Sequence, residues 1–317
     1  PALLMAGIAT VGAEAAFIFY NAMLPSVAGE RRMGRWSGWA WALGYAGGLA
    51  CLLVALFGFV EAGAWLGLAR AEAEHVRATF PLVALWYGLF ALPLFLLTPD
   101  QPAVRKPIGG AVRDGLAQLG HSLRQARAYG PLARFLIARM LFIDGLATIF
   151  AFGGVYAAGT FGMDERQVLL FGIALNVTAG LGAGAFAWVD DRIGSKTTII
   201  LALFGLIGTG TGLLLAQTSF WFWALGLLLG VFVGPAQAAG RSYLGHAAPA
   251  EVRSQLFGLF AFSGKATTFA GPLLVGWITA QTGSQRIGMS VIVVMLLGGL
   301  LLMLAVPSPE SVRSRLA

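Results

Sequence analysis

Long apolar runs separated by short polar turns cover almost the whole chain. A helix needs about 20 mostly apolar residues to cross the hydrocarbon core of a bilayer, and nine runs in this sequence approach or exceed that length. The pattern therefore predicts an all-α membrane protein with about nine transmembrane helices. The predicted spans cover 2–27, 36–60, 78–98, 132–160, 166–189, 197–216, 219–243, 254–281 and 287–306.

Proline and glycine interrupt three of these spans. The first predicted span stops at Pro25. The seventh and eighth contain Gly234-Pro235 and Gly271-Pro272, and dipeptides of this kind kink membrane helices. We therefore expect bent helices in the second half of the chain.

One long polar segment, 99–131, separates three predicted spans from six. Within it Val112, Leu116, Leu119 and Leu123 recur at helical spacing, with arginines on the other faces. This arrangement predicts a basic amphipathic helix that lies along a membrane surface. The predicted domains are a three-span remnant of a six-helix bundle, a cytoplasmic linker, a complete six-helix bundle and a cytoplasmic tail, over 1–98, 99–131, 132–306 and 307–317 respectively.

Composition supports a membrane protein and argues against a soluble enzyme. Residues are 58% hydrophobic and 11% charged, whereas soluble domains carry about 25% charged residues. The net charge of +7 reflects an excess of Lys and Arg on one predicted side of the membrane. With 99–131 in the cytoplasm, most Lys and Arg fall on that side, as membrane topology favours. We therefore predict the lipid bilayer as partner, and no nucleic acid. The basic residues predicted outside are Arg70, Arg77, Arg166 and Arg286.

The first three predicted spans resemble the last three. A shift of 220 residues superimposes Gly38 on Gly258, and it brings Gly44 and Tyr45 onto two residues of the eighth span. Internal repeats are common in transporters. A six-helix unit used twice, with its first three helices missing from this chain, accounts for the layout.

The turn at 184–196 resembles the loop motif of the major facilitator superfamily. Asp191, Arg192, Gly194 and Lys196 match its charged and glycine positions. An aspartate here can cap the following helix or pair with a nearby arginine, and glycine permits a tight turn. We interpret these four residues as a conformational motif.

Within that superfamily the chain resembles the vacuole-effluxer branch. The resemblance implies the facilitator-superfamily helical bundle, with nine of an expected twelve spans. It also implies secondary transport by alternating access, with efflux of amino acids as the activity of the branch. The branch's opening helix is absent from this chain. The stretches that carry the resemblance are 19–25, 38–48, 139–145, 152–159 and 257–267.

Four ionisable side chains lie inside predicted spans and away from the span ends: Glu14, Arg139, Asp144 and Lys265. Such residues are costly in a bilayer and usually face a bundle interior or a water-filled path. One interpretation is a central site for solute and proton coupling, to which Arg139 belongs unless it only extends to the membrane surface. The other is a static ion pair between Asp144 and Lys265. We predict that these two residues pair in either case.

Two polar residues complete the candidate site. Asn21 and Gln237 could contact a solute or form hydrogen bonds between helices. Catalytic and metal-binding patterns are not found in the sequence, and neither is a phosphate-binding loop, so we predict no cofactor, no metal and no enzymatic activity.

The sequence therefore predicts a secondary transporter of a small hydrophilic solute, with amino acid efflux as the first hypothesis and protons as a possible coupling ion. A carrier of sugars or other solutes, or a non-transporting membrane receptor or assembly partner, is the alternative. The predicted location is the bacterial inner membrane, with the C-terminus in the cytoplasm.

Overall fold

A computed structural model describes residues 2–60, 73–98, 109, 110, 117, 130–249 and 252–316. These residues form helices and connecting turns. The predicted amphipathic helix over 112–123 lies almost entirely outside the described residues. The α-helices are α1 (Ala2–Ala28), α2 (Met33–Ala55), α3 (Glu74–Arg77), α4 (Thr79–Leu97), α5 (Gly130–Phe161), α6 (Glu165–Ile193), α7 (Ser195–Leu215), α8 (Ser219–Ala247), α9 (Arg253–Ser263), α10 (Ala270–Thr282), α11 (Gln285–Leu304) and α12 (Pro309–Leu316).

The chain divides into two compact units. One unit comprises Pro1–Ala42 and Gly115–Ala317, and it contains α1, the start of α2 and all helices from α5 onward. The other unit, Leu43–Asp114, contains the rest of α2, α3 and α4. A π-helical turn, Leu56–Val60, follows α2 directly.

Eight helical stretches within the described residues are long and apolar enough to cross a membrane. They coincide with eight of the nine predicted spans. The remaining predicted span, 254–281, was expected to bend at Gly271-Pro272. It forms two helices, α9 and α10, and the break between them precedes that dipeptide. Pro272 lies in the first turn of α10. Proline has no N–H to donate to the preceding turn, so it is accommodated where a new helix starts.

The other two prolines do not end their helices. α1 continues past Pro25 to Ala28, so the predicted stop at that proline is wrong. α8 likewise runs uninterrupted through Pro235. A proline inside a membrane helix is tolerated when neighbouring groups satisfy the freed carbonyl.

Small residues let α6 and α8 approach closely. A Cβ atom added to Gly234 would lie 2.8 Å from Cβ of Ala183, and one added to Gly230 would lie 3.1 Å from the carbonyl oxygen of Leu175. Close approach through glycine is the usual mode of helix association in membranes. The repeated glycines of α8 therefore allow tight packing against α6.

Capping groups define several helix ends. Asp164 accepts a hydrogen bond from N of Gln167 at 2.7 Å, and the Gln167 side chain accepts one from N of Asp164 at 3.1 Å, which forms a capping box at the start of α6. Gly194 has φ +85° between α6 and α7, a conformation that L-residues with side chains rarely adopt. The two helices can therefore reverse direction within one residue.

The C-terminal segment forms α12, which packs against α8. The hydroxyl of Tyr243 donates to the carbonyl of Pro307 at 2.9 Å just before this helix begins. Arg134 and Lys196 donate to the carbonyls of Ala305 and Leu304 respectively, at 2.9 and 3.3 Å. Hydrogen bonds from three helices therefore satisfy the carbonyls around the end of α11.

Candidate functional site

Lys265 lies between α9 and α10, and it forms an ion pair with Glu14 on α1. The ammonium nitrogen is 2.8 Å from the carboxylate Oε1. The side chains remain 63% and 40% exposed, respectively. The pair therefore connects α1 to the second half of the chain while both charges stay accessible.

Asp144 does not take part in that pair, so the predicted direct pairing of Asp144 with Lys265 is wrong. The Asp144 side chain is 1% exposed on α5, and its Oδ1 accepts a hydrogen bond from N of Gly271 at 3.4 Å. The start of α10 thus satisfies one oxygen of this carboxylate. Its second oxygen, Oδ2, is buried and has no hydrogen-bond partner.

Arg139, also on α5, contacts the end of α9. Its Nη1 donates to the carbonyl of Phe260 at 2.5 Å and to Oγ of Ser263 at 3.0 Å. The guanidinium carbon is 3.4 Å from the centre of the Phe260 ring, within the range of a cation–π contact. Arg139 therefore packs against the end of α9.

A buried arginine on α8, which was not among the predicted site residues, connects three helices. Arg241 on α8 is 3% exposed. Its Nη1 donates to Oδ1 of Asn21 at 3.0 Å, its Nε to Oγ of Ser37 at 3.0 Å, and its Nη2 to the carbonyl of Ser37 at 2.8 Å. Its guanidinium also lies 5.4 Å from the centre of the Tyr20 ring. Asn21 thus contacts another helix directly.

The seventh predicted span, 219–243, includes Arg241, but only two residues from its predicted end, where an arginine is expected to lie near the membrane surface. The helix in fact continues to Ala247, so the arginine lies more than one turn from the helix end. Small residues flank it in the stretch Ala238-Ala239-Gly240. A cation among small helical residues signals close packing around a buried charge, and this signal could have identified it.

The loop motif connects α6 to α2. Oδ1 of Asp191 accepts a hydrogen bond from N of Arg35 at 3.0 Å, and its Oδ2 is 3.4 Å from Nε of the same arginine. The carboxylate thereby meets both the first turn of α2 and a cation, and a negative charge is favourable at a helix start. Of the other motif residues, Arg192 ends α6 and Gly194 forms the turn, whereas Lys196 contacts α11.

Asp190 reinforces the contact between α6 and α2. It is 5% exposed, and its Cβ would lie 2.6 Å from a Cβ atom added to Gly34. One helical turn later, a Cβ atom on Gly38 would lie 2.7 Å from Cβ of Ala187. We call the contacts of Gly34 with Asp190 and of Gly38 with Ala187, together with those of Arg241, the tight interface. It holds α1 and α2 against α6 and α8.

Gln237 is half-buried on α8, four residues before Arg241. The structure places the other five candidates in three locations. Glu14 and Lys265 form an accessible pair, Arg139 and Asp144 contact the ends of α9 and α10, and Asn21 belongs to the tight interface.

An apolar cavity of ≈ 230 Å³ lies elsewhere in the second half of the chain. Residues of α5, α6, α7, α8 and α11 line it, including Tyr156, Asn176 and Phe222. The four ionisable candidates are not among the residues that line it. Such a lining suits packing or apolar contact, and it does not provide the charges that a hydrophilic solute requires.

Comparisons with known proteins support one family. The family described as "Vacuole effluxer Atg22 like" matches residues 30–315. An "Uncharacterized MFS-type transporter YxiO" from Bacillus subtilis is 26% identical over 316 residues, which cover 98% of this chain and 72% of the relative. "Autophagy-related protein 22-1" from Aspergillus fumigatus is 26% identical over 267 residues, which cover 76% of this chain and 44% of the relative.

The fold is similar to that of a solved transporter. The crystal structure of the Escherichia coli fucose:proton symporter matches with a TM-score of 0.66 at 11% identity, over 93% of this chain and 73% of that chain. At this identity the similarity concerns the fold alone. The chain has the major facilitator superfamily fold and is a multi-pass membrane protein, and it spans less than half the length of its fungal relative.

Proposed function

Because the chain belongs to the vacuole effluxer Atg22-like family of transporters, we propose that it forms most of a secondary transporter that exports amino acids by alternating access. The observation that carries this proposal is the ion pair of Glu14 with Lys265. It presents one accessible carboxylate and one accessible ammonium group on two different parts of the chain.

A zwitterionic solute matches this pair in charge. The ammonium group of an amino acid would bind Glu14, and its carboxylate would bind Lys265. Both side chains are partly exposed. A solute that reaches the pair can therefore insert between them and replace each partner with its own opposite charge.

Alternating access requires two parts of the bundle to separate at one membrane face while they approach at the other. The tight interface supplies one such contact. Its glycines, the buried Arg241 and the Arg35–Asp191 ion pair hold α1 and α2 against α6 and α8. In the transport cycle we expect these contacts to break when the site opens to this face, and we expect the Asp191 motif to act as the conformational latch.

We further propose that the tight interface faces the cytoplasm, and the distribution of positive charge supports this orientation. Arg31, Arg32 and Arg35 precede or begin α2, and Arg192 and Lys196 flank the turn between α6 and α7. Lys and Arg are enriched in cytoplasmic loops. This orientation puts α12 and the C-terminus in the cytoplasm, in a bacterial inner membrane. The division into 1–98, a linker over 99–131, 132–306 and a tail remains part of this proposal.

Protons are the proposed coupling ion. Glu14 is accessible and contacts the lysine that would bind the solute carboxylate. Protonation would neutralise Glu14, release Lys265 and change the affinity for a zwitterion. A solute-binding acid of this kind can couple solute release to proton uptake without a cofactor.

Reconstitution tests the proposal. Liposomes containing the full-length protein are loaded with single radiolabelled amino acids, and efflux is measured with and without a pH gradient across the membrane. We expect saturable efflux of at least one amino acid. Glu14→Gln or Lys265→Gln should reduce it by about tenfold or more, equivalent to about 1.4 kcal/mol.

Matched controls are available on the exposed first turn of α6. Glu165→Gln and Arg166→Gln remove one charge each away from the pair and should leave efflux unchanged. If no amino acid moves in either direction, the proposed function is wrong. A thermal shift induced by an amino acid without any flux would instead identify a receptor.

A further inference from the structure

The break between α9 and α10 is an ordered turn, which we call the interruption, over Gly264–Phe269. N of Lys265 donates to the carbonyl of Phe262 at 3.0 Å, and N of Ala270 donates to the carbonyl of Thr267 at 2.7 Å. These are three-residue turns, and they are mixed with one four-residue bond, from N of Ala266 to the carbonyl of Phe262. The four-residue pattern of an α-helix resumes with the bond from N of Leu273 to the carbonyl of Phe269. The interruption therefore creates an additional helix end and an additional helix start within the span.

Arg139 contacts the end that precedes the interruption. It donates to a carbonyl and to a hydroxyl in the last turn of α9, those of Phe260 and Ser263. Gly264 permits this approach, because a Cβ atom there would lie 2.7 Å from Nη1 of Arg139. A positive charge is thus fixed against the C-terminal end of a helix.

Asp144 contacts the start that follows the interruption. Its carboxylate accepts from N of Gly271 in the first turn of α10 while the side chain is almost fully buried. A Cβ atom on Gly271 would lie 3.0 Å from Oδ1 of Asp144 and would collide with the Thr148 hydroxyl. Only glycine lets this helix start come so close to α5.

The two charges have the signs that the two helix ends favour. The C-terminal end of a helix carries partial negative charge and the N-terminal end partial positive charge. Arg139 and Asp144 are five residues apart on one continuous helix, which separates them by about 7.5 Å along its axis. One helix therefore supplies opposite charges to the two ends of the interruption.

We infer that Arg139 and Asp144 act together as a charge clamp that holds the interruption and positions Lys265. The clamp keeps Lys265 within reach of Glu14, and the clamped interruption is the element that moves when the solute path opens. The assignment of Lys265 to solute binding rests on the proposed function. The clamp itself does not, because it follows from the contacts of α5 with α9 and α10.

Hydrogen–deuterium exchange of the full-length protein in lipid nanodiscs tests the clamp without any solute. Asp144→Asn removes the charge and keeps the shape of the side chain. Arg139→Gln removes the other charge. Each variant should speed amide exchange in the peptide that covers Gly264–Gly271 by about 5- to 30-fold.

Two variants separate positioning from general stability. Arg139→Lys keeps the positive charge and should retain most of the protection at the interruption. Asp164→Asn removes the charge of another carboxylate at a helix start, that of the capping box on α6, and it should leave the interruption unchanged. Unchanged exchange in Asp144→Asn would overturn the clamp. Equal acceleration in α7 and in the interruption would also overturn it, because it would indicate loss of the whole bundle.

Cysteine labelling measures the same opening independently. In a Cys51→Ser background, Ala266→Cys should react faster with a membrane-impermeant maleimide when Asp144→Asn is added. Thr282→Cys, at the far end of α10, should not change. If the interruption responds as expected but no amino acid is transported, the clamp stands and the proposed function fails. If amino acids are transported but the interruption does not respond, the clamp is wrong.

Discussion

The ammonium group of Lys265 lies 2.8 Å from the carboxylate of Glu14, although α1 and the interruption are separated by about 250 residues of sequence. This contact joins the first predicted span to the eighth. It also frees Asp144 to hold the start of α10. Glu14 therefore forms an accessible ion pair with Lys265, whereas Asp144 forms a buried contact with the start of α10.

The Glu14–Lys265 pair allows a charge-swap test. We predict that Glu14→Lys combined with Lys265→Glu unfolds at a temperature close to that of wild type, because the swap restores an ion pair at the same two positions. The swapped protein should not transport amino acids, as for the single variants, because a zwitterion would bind in the reverse orientation. Thermal unfolding in detergent measures the first expectation and liposome efflux measures the second. Full transport by the swapped protein would contradict oriented binding.

Glu14→Gln should in addition abolish the dependence of transport on a pH gradient, because the neutral amide cannot exchange a proton. Efflux measured at a series of imposed gradients reports this dependence directly. Glu165→Gln, which removes an exposed acid at the start of α6, is the control and should retain it. An unchanged gradient dependence in Glu14→Gln would remove this residue as the coupling group.

Arg241 should contribute strongly to stability. Arg241→Met leaves Oδ1 of Asn21 and the carbonyl of Ser37 without their donor, and each unsatisfied buried group costs about 1–3 kcal/mol. Arg241→Lys should recover only part of this loss, because an ammonium group cannot reproduce the planar donor geometry. The free energy of unfolding in detergent is the measurement. Arg166→Met, at an exposed position, should change it little.

The glycines of the tight interface should control the conformational equilibrium. Gly38→Ala adds a Cβ atom 2.6 Å from the carbonyl oxygen of Ala183, which forces α2 away from α6. We expect the variant to expose this face, detected in a Cys51→Ser background as faster maleimide labelling of a Thr198→Cys substitution, a buried position beside Gly38. Gly208→Ala on α7 has no heavy atom within 4 Å of the added Cβ and should not alter labelling. Equal labelling in both variants would refute the role of this contact.

The capping box on α6 offers a test of local stability. Asp164→Ala removes the acceptor for N of Gln167, and loss of such a cap costs about 1 kcal/mol. We expect a small decrease in the melting temperature and normal transport, since this cap lies away from the Glu14–Lys265 pair. A complete loss of transport in this variant would show that the start of α6 belongs to the transport path.

The sequence alone determined the membrane fold and most of its helices. Apolar runs of about 20 residues can be stable in a bilayer only as helices or barrels, because backbone polar groups need internal partners there. For this reason the runs around α5 and α11 predicted spans that the structure confirms. The motif at Asp191 and the quoted stretches likewise led to the family that the comparisons establish.

Only the tertiary structure decided which charges meet. Sequence position indicates the depth of Asp144 and Lys265 along their helices, but it does not give the rotation of each helix or the site of an interruption. The break before Pro272 turned Lys265 toward Glu14 and created a helix start that satisfies Asp144. For the same reason the sequence did not reveal the burial of Arg241, which depends on the packing of α1 and α2 against α8. Contacts between helices distant in sequence depend on how the helices pack, and a linear pattern of apolar and polar residues does not contain that information.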